Sequence, residues 1–262
     1  MGPSPFVPPR NDDRKETMEQ FLRTELLFGE EKLQKLQKSK IAVIGLGAVG
    51  SFAAEALARS GIGEFLLIDS DTVQITNLNR QLFALHSTLG KLKTKAAKER
   101  ILDINPECKI ETMHIFVNAD NIEKIFKTKP DMVIDAIDSF DSKAALLEHC
   151  VKNSIPVVSS MGAALKTDPS KIQTADLFKT HYCKLAQRIR EELKKRGIKN
   201  GIPCVFSEQP PQTKPLFPEN LPEGTEKFER NSAKILGSYN VITGIFGLLL
   251  ADLAIKKLTG AA

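Results

Sequence analysis

Short apolar runs alternate with longer amphipathic stretches through the first two-thirds of the chain. The runs at 41–44, 65–68, 132–137 and 155–159 are brief and rich in aliphatic residues, and they predict buried strands. Residues 109–113 alternate apolar and polar positions as a strand does. Between these runs, the Ala-rich stretch 51–60, the Lys-rich stretch 91–104 stopped by Asn105-Pro106, the short 119–126 and the stretch 142–153 predict helices. Ahead of them, 18–38 predicts two helical pieces broken at Gly29, the second with Leu33 and Leu36 on an apolar face. Strand–helix alternation of this kind predicts an α/β fold: a Rossmann-like, doubly wound, mostly parallel sheet with helices on both faces. Ligands of such sheets sit beyond the carboxyl ends of the strands.

The pattern loosens after Gly162. Residues 172–177 predict one more strand, and 184–199 a helix with Leu185, Ile189 and Leu193 on one face and basic residues around the rest. A solvated face is the ordinary explanation of that charge, and contact with nucleic acid is the alternative. Six prolines in 203–224 predict a long irregular loop. The segment 238–258 is apolar enough for a buried helix. Within it, 241–251 is interrupted by Gly244 and Gly247 and followed by Asp252, Lys256 and Lys257. It is too short to span a bilayer, so no membrane insertion is expected, and a packed or dimer-interface helix is. The first 17 residues, Pro-rich and then charged, read as a disordered arm without a secretory signal. The division expected is this arm at 1–17 and a single α/β domain over 18–262, in which 163–237 is a looser lobe.

Composition narrows the picture little. Hydrophobic residues at 42% and charged residues at 26% are ordinary for a soluble globular protein. A net charge of +5 is compatible with a polyanionic partner but too weak to establish one. The four cysteines, Cys108, Cys150, Cys183 and Cys204, are scattered without a CxxC. That argues against a paired-cysteine zinc ribbon or a thioredoxin-like site and fits a reducing, cytoplasmic compartment.

The chemistry concentrates around Gly45-Leu46-Gly47-Ala48-Val49-Gly50, which joins the first strand to an Ala-rich helix. Glycines there let the turn close and let backbone amides approach phosphate at the positive end of the helix. Asp69 closes the next strand, at the position suited to a ribose hydroxyl. The loop that follows departs from a dehydrogenase: it supplies Asp71, Asn77, Asn79, Arg80 and Gln81, and then Lys93. Two cations near a nucleotide turn suit a triphosphate better than a dinucleotide. Asp138, at another strand end, is placed to hold magnesium. Each has a plainer alternative: Arg80 as a surface ion pair, Lys93 as one more charge on a Lys-rich helix, Asp138 as the N-cap of the helix after it.

The stretches GLGAVGSFAAEALARSGIG, LLIDSDTVQITNLNRQ, GKLKTKAAKERILDINPE and VIDAIDSFDSKAALLEHC together resemble the adenylating superfamily of ubiquitin-activating enzymes and sulfur-carrier adenylyltransferases. The resemblance implies ATP and Mg2+ as cofactors and adenylation of a carboxylate. It places Gly45, Gly47 and Gly50 at the phosphates, Asp69 at the ribose, Asn79, Arg80 and Lys93 at the triphosphate, and Asp138 on the metal, with Asp71 a further cofactor-binding candidate. Arg23 matches an arginine that reaches into a partner's active site, implying a homodimer with composite sites. RTELLFGEEKLQKLQKSKIAVIGLGAVGS, DAIDSFDSKAAL, the stretch 168–173 and CVFSE are similar to the tRNA threonylcarbamoyladenosine dehydratases of that superfamily. That similarity implies tRNA as substrate and ring closure through an adenylated threonyl carboxylate. The alternative it leaves is activation of the C-terminal glycine of a ubiquitin-like carrier, with a cysteine desulfurase or sulfur acceptor as partner. Carrier adenylyltransferases usually hold two CxxC pairs, which this chain lacks. Cys183 and Cys204 are the candidates for an acyl-accepting thiol, and neither sits in a pattern that compels it.

Overall fold

Lys40–Ile44 (β1) is buried at every position but its first. A strand covered on both faces has no polar side to present, which is why it appears in the sequence as an unbroken apolar run. Glu64–Ile68 (β2), Met132–Asp135 (β4) and Val157–Ser160 (β5) share this character. Lys109–Met113 (β3) lies at the sheet edge and is largely exposed, hence its alternation. The computed structural model describes residues 19–210 and 236–261. The expected arm over 1–17 and the Pro-rich residues beyond 210 lie outside the described residues.

The sheet has seven strands in the order β3-β2-β1-β4-β5-β7-β6. β1 pairs in parallel with both β2 and β4, so the winding reverses there, and the glycine turn leaves β1 at that switch point. Ile172–Asp176 (β6) runs antiparallel to Pro203–Ser207 (β7), which itself runs parallel to β5. β7 corrects one expectation. The irregular loop predicted over 203–224 begins with a strand whose last four residues are buried. Pro203 occupies its first position, where a missing N–H costs least. The prolines downstream masked the short apolar run Cys204-Val205-Phe206.

Alternate strand residues serve two cores. Ile41, Val43, Phe65 and Ile134 face a cluster formed with Gly50–Arg59 (α3), Lys93–Ile104 (α4) and Asn240–Thr259 (α8). Ala42, Ile44, Leu66 and Val133 face the opposite cluster, formed with Ile122–Ile125 (α5), Phe140–Lys152 (α6) and Lys184–Lys195 (α7). α8 is apolar all round because it is buried against α3; a Cβ on Gly247 would stand 2.5 Å from the Val49 carbonyl oxygen. Among the described residues, no helix is long and apolar enough to cross a membrane. Before β1, Leu22–Phe28 (α1) and Glu30–Lys38 (α2) are separated at Gly29, as the sequence predicts. α2 buries Leu33 and Leu36, whereas α1 buries none of its own residues.

Candidate active site

The glycine turn is held too tightly for larger residues. Gly45 has φ +89°, and a Cβ there would lie 2.7 Å from the Ala136 carbonyl oxygen, in the loop after β4. A Cβ on Gly50 would lie 1.8 Å from the Gly45 carbonyl oxygen. Around Gly47 the nearest atom is 3.8 Å away, leaving room for a ligand to approach the backbone. α3 starts at Gly50 without a side-chain cap, so its positive end faces this opening.

Asp69, directly beyond β2, ties the turn to its neighbours. Its Oδ2 accepts from the Leu46 amide at 2.7 Å and its Oδ1 from the Asp71 amide at 2.8 Å. Each oxygen keeps a lone pair for a further donor, such as a ribose hydroxyl. Burial pushes this carboxyl above its ordinary range, opposed by the Lys93 ammonium and the two amides. Lys93 is only 6% exposed, which rules out one more solvated charge. It opens α4, where a cation meets the positive end of a helix, and Asp71 and Asp69 offset that placement. Its Nζ donates to Asp71 Oδ2 at 2.8 Å and stands 3.9 Å from Asp69 Oδ1.

Arg80 is half-buried and donates to the Thr76 carbonyl at 2.7 Å and to Asn79 Oδ1 at 2.8 Å. Burial pulls its guanidinium below the ordinary range, and the negative charge of Asp138 opposes that. Arg80 is therefore held by its own loop and faces Asp138 rather than forming a surface ion pair. Asn79 orients it, and donates in turn toward the Ser238 carbonyl at 3.4 Å. Asp138 is exposed in the β4–α6 connection. Ser139 occupies the N-cap of α6, so Asp138 is not the cap. The loops after β1, β2 and β4 thus bring the glycine turn, Asp69, Asp71, Asn79, Arg80, Lys93 and Asp138 to one end of the sheet. Gathered there are two cations, a carboxylate open to solvent and a helix terminus, a set with the chemistry to receive an anionic ligand.

A family model described as the ThiF family matches residues 21–262. The chain belongs to the ThiF family. It is 50% identical over 252 residues to the tRNA threonylcarbamoyladenosine dehydratase of Bacillus subtilis, covering 92% of this chain and 98% of that protein. Over 260 residues it is 40% identical to the protein of the same name from Escherichia coli, covering 93% and 95%. The solved structure of the E. coli dehydratase in complex with ATP superposes with a TM-score of 0.82 at 38% identity, covering 97% of this chain and 98% of that one.

Arg23 stands apart from this cluster. It is exposed on α1, and among the described residues its side chain has no hydrogen bond or ion pair. Phe21, which anchors the start of that helix, packs near Gly61 at the amino ends of the strands, opposite the glycine turn. The thiols do not enter the site as nucleophiles. Cys204 is buried on β7 and burial pushes it up to about 12. Cys183 is buried at the start of α7, its Sγ accepting from the amides of Gly162 and Ala186.

Sequence reasoning passed over three residues beneath the site. Asp135, the last residue of β4, is fully buried, and its Oδ2 meets Lys143 Nζ at 2.6 Å and the Ser159 hydroxyl at 2.6 Å. Its Oδ1 accepts from the Ile137 amide at 3.1 Å, so the same carboxylate holds the loop that carries Asp138. The signal was available: Lys143 shares a helix face with Ala144, Leu147 and Cys150, where an unpaired charge would not be tolerated.

Proposed function

We propose that this ThiF protein is an ATP-dependent tRNA threonylcarbamoyladenosine dehydratase. The observation that carries it is the clustering of Lys93 beside Asp69, and of Arg80 within the influence of Asp138, around the glycine turn, in a chain matched nearly end to end by relatives of that name. The glycine turn and the α3 terminus cradle phosphates, Asp69 takes the ribose, and Arg80 and Lys93 bind the triphosphate. Asp138 would hold magnesium, which neutralises phosphate charge when bound. One exposed carboxylate would suffice to hold a cation of this kind, which keeps several of its own waters.

In the first step a threonyl carboxylate oxygen attacks the α-phosphorus, forming an acyl-adenylate and releasing pyrophosphate. Arg80 and Lys93 stabilise the charge that grows on the leaving pyrophosphate. In the second, a nitrogen or oxygen of the same side chain attacks the acyl carbon, loses its proton, closes a ring and expels AMP. The nucleophile is tethered, so its effective concentration is high and no enzyme thiol is needed. This agrees with the raised, buried Cys204.

Arg23 acts in this scheme from a second copy of the chain. The support is an exposed Arg23 on a helix that also exposes Leu22, Leu26 and Leu27, an apolar face suited to a homodimer. A tRNA-modifying role is consistent with the cytoplasm as its compartment. The test is nucleoside mass spectrometry of threonylcarbamoyladenosine tRNA incubated with the purified protein, ATP and magnesium. The expected product is lighter by one water, with AMP and pyrophosphate released in equal amount. Unchanged tRNA ends the proposal.

A further inference from the structure

Beyond the β4 end, the carboxyl edge of the sheet continues through β5 and β7, and nothing in the nucleotide site uses it. The residues there are of a different kind. Tyr182 is 59% exposed and adopts φ +57°, a conformation that aromatic residues rarely take. Its ring meets the edge of His181 at 4.9 Å, and His181 meets Phe206 of β7 edge-on at 5.6 Å. His181 Nε2 lies 3.0 Å from Glu208 Oε1, just beyond β7. The backbone on either side is fastened. Thr180 is hydrogen-bonded to the Leu177 carbonyl and to Arg190, and Cys183 Sγ accepts the Gly162 and Ala186 amides. Tyr182 is therefore presented to solvent on a fixed support.

Two further features decide what it is presented to. Exposed Lys179, Lys184 and Arg188 flank it in the chain, the last two on α7. The Arg188 guanidinium lies 4.4 Å over the Phe140 ring, and Phe140 is two residues beyond Asp138. The aromatic ledge of Tyr182, His181 and Phe206 is thus linked through Arg188 and Phe140 to the stretch that carries the proposed metal-binding carboxylate. Two strand spacings, on the order of 10 Å, separate the ends of β4 and β7. An exposed aromatic ring bordered by cations is the arrangement that binds an unstacked nucleobase with its phosphates: the ring takes the base face and the cations take the backbone.

We propose that the 179–188 segment is the RNA-docking element. Tyr182, backed by His181 and Phe206, stacks an extruded base of the tRNA loop, while Lys179, Lys184 and Arg188 engage its phosphates. This rests on the tRNA dehydratase proposal and adds the surface that brings the substrate to the site. A protein partner is disfavoured because the exposed cations that flank the ring in the chain match a polyanion.

The experiment uses the full chain and a fluorescent anticodon stem-loop RNA, with ATP binding measured in parallel. Tyr182→Ala is expected to weaken RNA binding by at least about fivefold and to leave ATP affinity unchanged, and Tyr182→Phe to bind as the parent does. Lys184→Glu with Arg188→Glu is expected to weaken binding further and to flatten its dependence on salt. Unaltered ATP binding in each variant shows that the fold is intact. If the parent binds RNA and Tyr182→Ala binds it within twofold, the ledge is wrong while the dehydratase proposal stands. A parent protein that binds no RNA removes both.

Discussion

Two lysine–aspartate pairs lie at the carboxyl edge of the sheet, and they are built for opposite purposes. Lys93 pairs with Asp71, whose side chain is 49% exposed, and stands beside Asp69 at the mouth of the glycine turn. Lys143 pairs with Asp135, and neither side chain has any exposure. A ligand phosphate can replace an exposed carboxylate as the partner of Lys93, so that lysine is available for chemistry. Lys143 has no route to solvent and can only hold what surrounds it: the end of β4, the face of α6, Ser159 on β5 and, through Asp135, the loop bearing Asp138. Similar ionic contacts thus divide into one that can exchange partners and one that cannot, and exposure makes the division.

The largest expected effect comes from breaking the sealed pair. Lys143→Ala leaves Asp135 as an uncompensated buried charge and should lower unfolding stability by about 3–5 kcal/mol. Lys93→Ala should cost less, because water already reaches its Asp71 partner and can replace the ammonium there. Urea denaturation of both variants measures this contrast, and equal losses would abolish it. Replacing the pair together, Asp135→Leu with Lys143→Met, should recover much of the lost stability. The Ile137 amide then loses its acceptor, and activity should remain low because the Asp138 loop is no longer held.

Activity should order the two corners the other way. Lys93→Ala is expected to lower the rate of AMP formation by about 10²–10³-fold while the protein stays folded, in the range found when one preorganised transition-state donor is removed. A Lys93→Ala protein with near-parental turnover would make this lysine a structural partner of Asp69 and Asp71. Ser159→Ala is a smaller probe of the sealed corner. Removing one hydrogen bond to the buried Asp135 carboxylate should cost about 1.5–3 kcal/mol of stability, and turnover should fall only as far as the Asp138 loop loosens.

The same contrast explains what the sequence revealed and what it hid. The parallel sheet and the glycine turn were legible because strands buried on both faces must be apolar and because Gly45 and Gly50 sit where no side chain fits. Asp69 and Asp138 follow strand ends, and Arg80 and Lys93 lie in and just after the polar loop beyond β2, so their position along the chain made them candidates. Asp135 and Lys143 lie eight residues apart on a strand and a helix, and only packing against β5 shows that Ser159 joins them. β7 was hidden by composition: prolines beyond it suggested loop, while its neighbours β5 and β6 are far away in sequence. His181 and Tyr182 carry no motif, and their proximity to Phe206 and Glu208 exists only in three dimensions.

The smallest effect is the most specific to the open corner. Burial raises the Asp69 carboxyl, and the Lys93 ammonium opposes that rise. A carboxyl with a raised folded value binds its proton more tightly in the folded than in the unfolded chain. Its contribution to stability therefore declines as pH rises through the window above the ordinary carboxylate value. ATP binding runs the other way, since the ionised form is the better acceptor for a ribose hydroxyl. On acidification, ATP affinity should fall at a higher pH than an ordinary carboxylate would allow. Lys93→Met should move that midpoint higher still, because the opposing charge is gone. The phosphates of ATP titrate as well, so Asp69→Asn is the control: it should remove the limb due to the protein and leave the limb due to the ligand. Calorimetric ATP titrations across pH on the three proteins separate these contributions. A midpoint unmoved by Lys93→Met would mean that Lys93 and Asp69 are neighbours without electrostatic consequence, and that Lys93 serves the open corner through Asp71 alone.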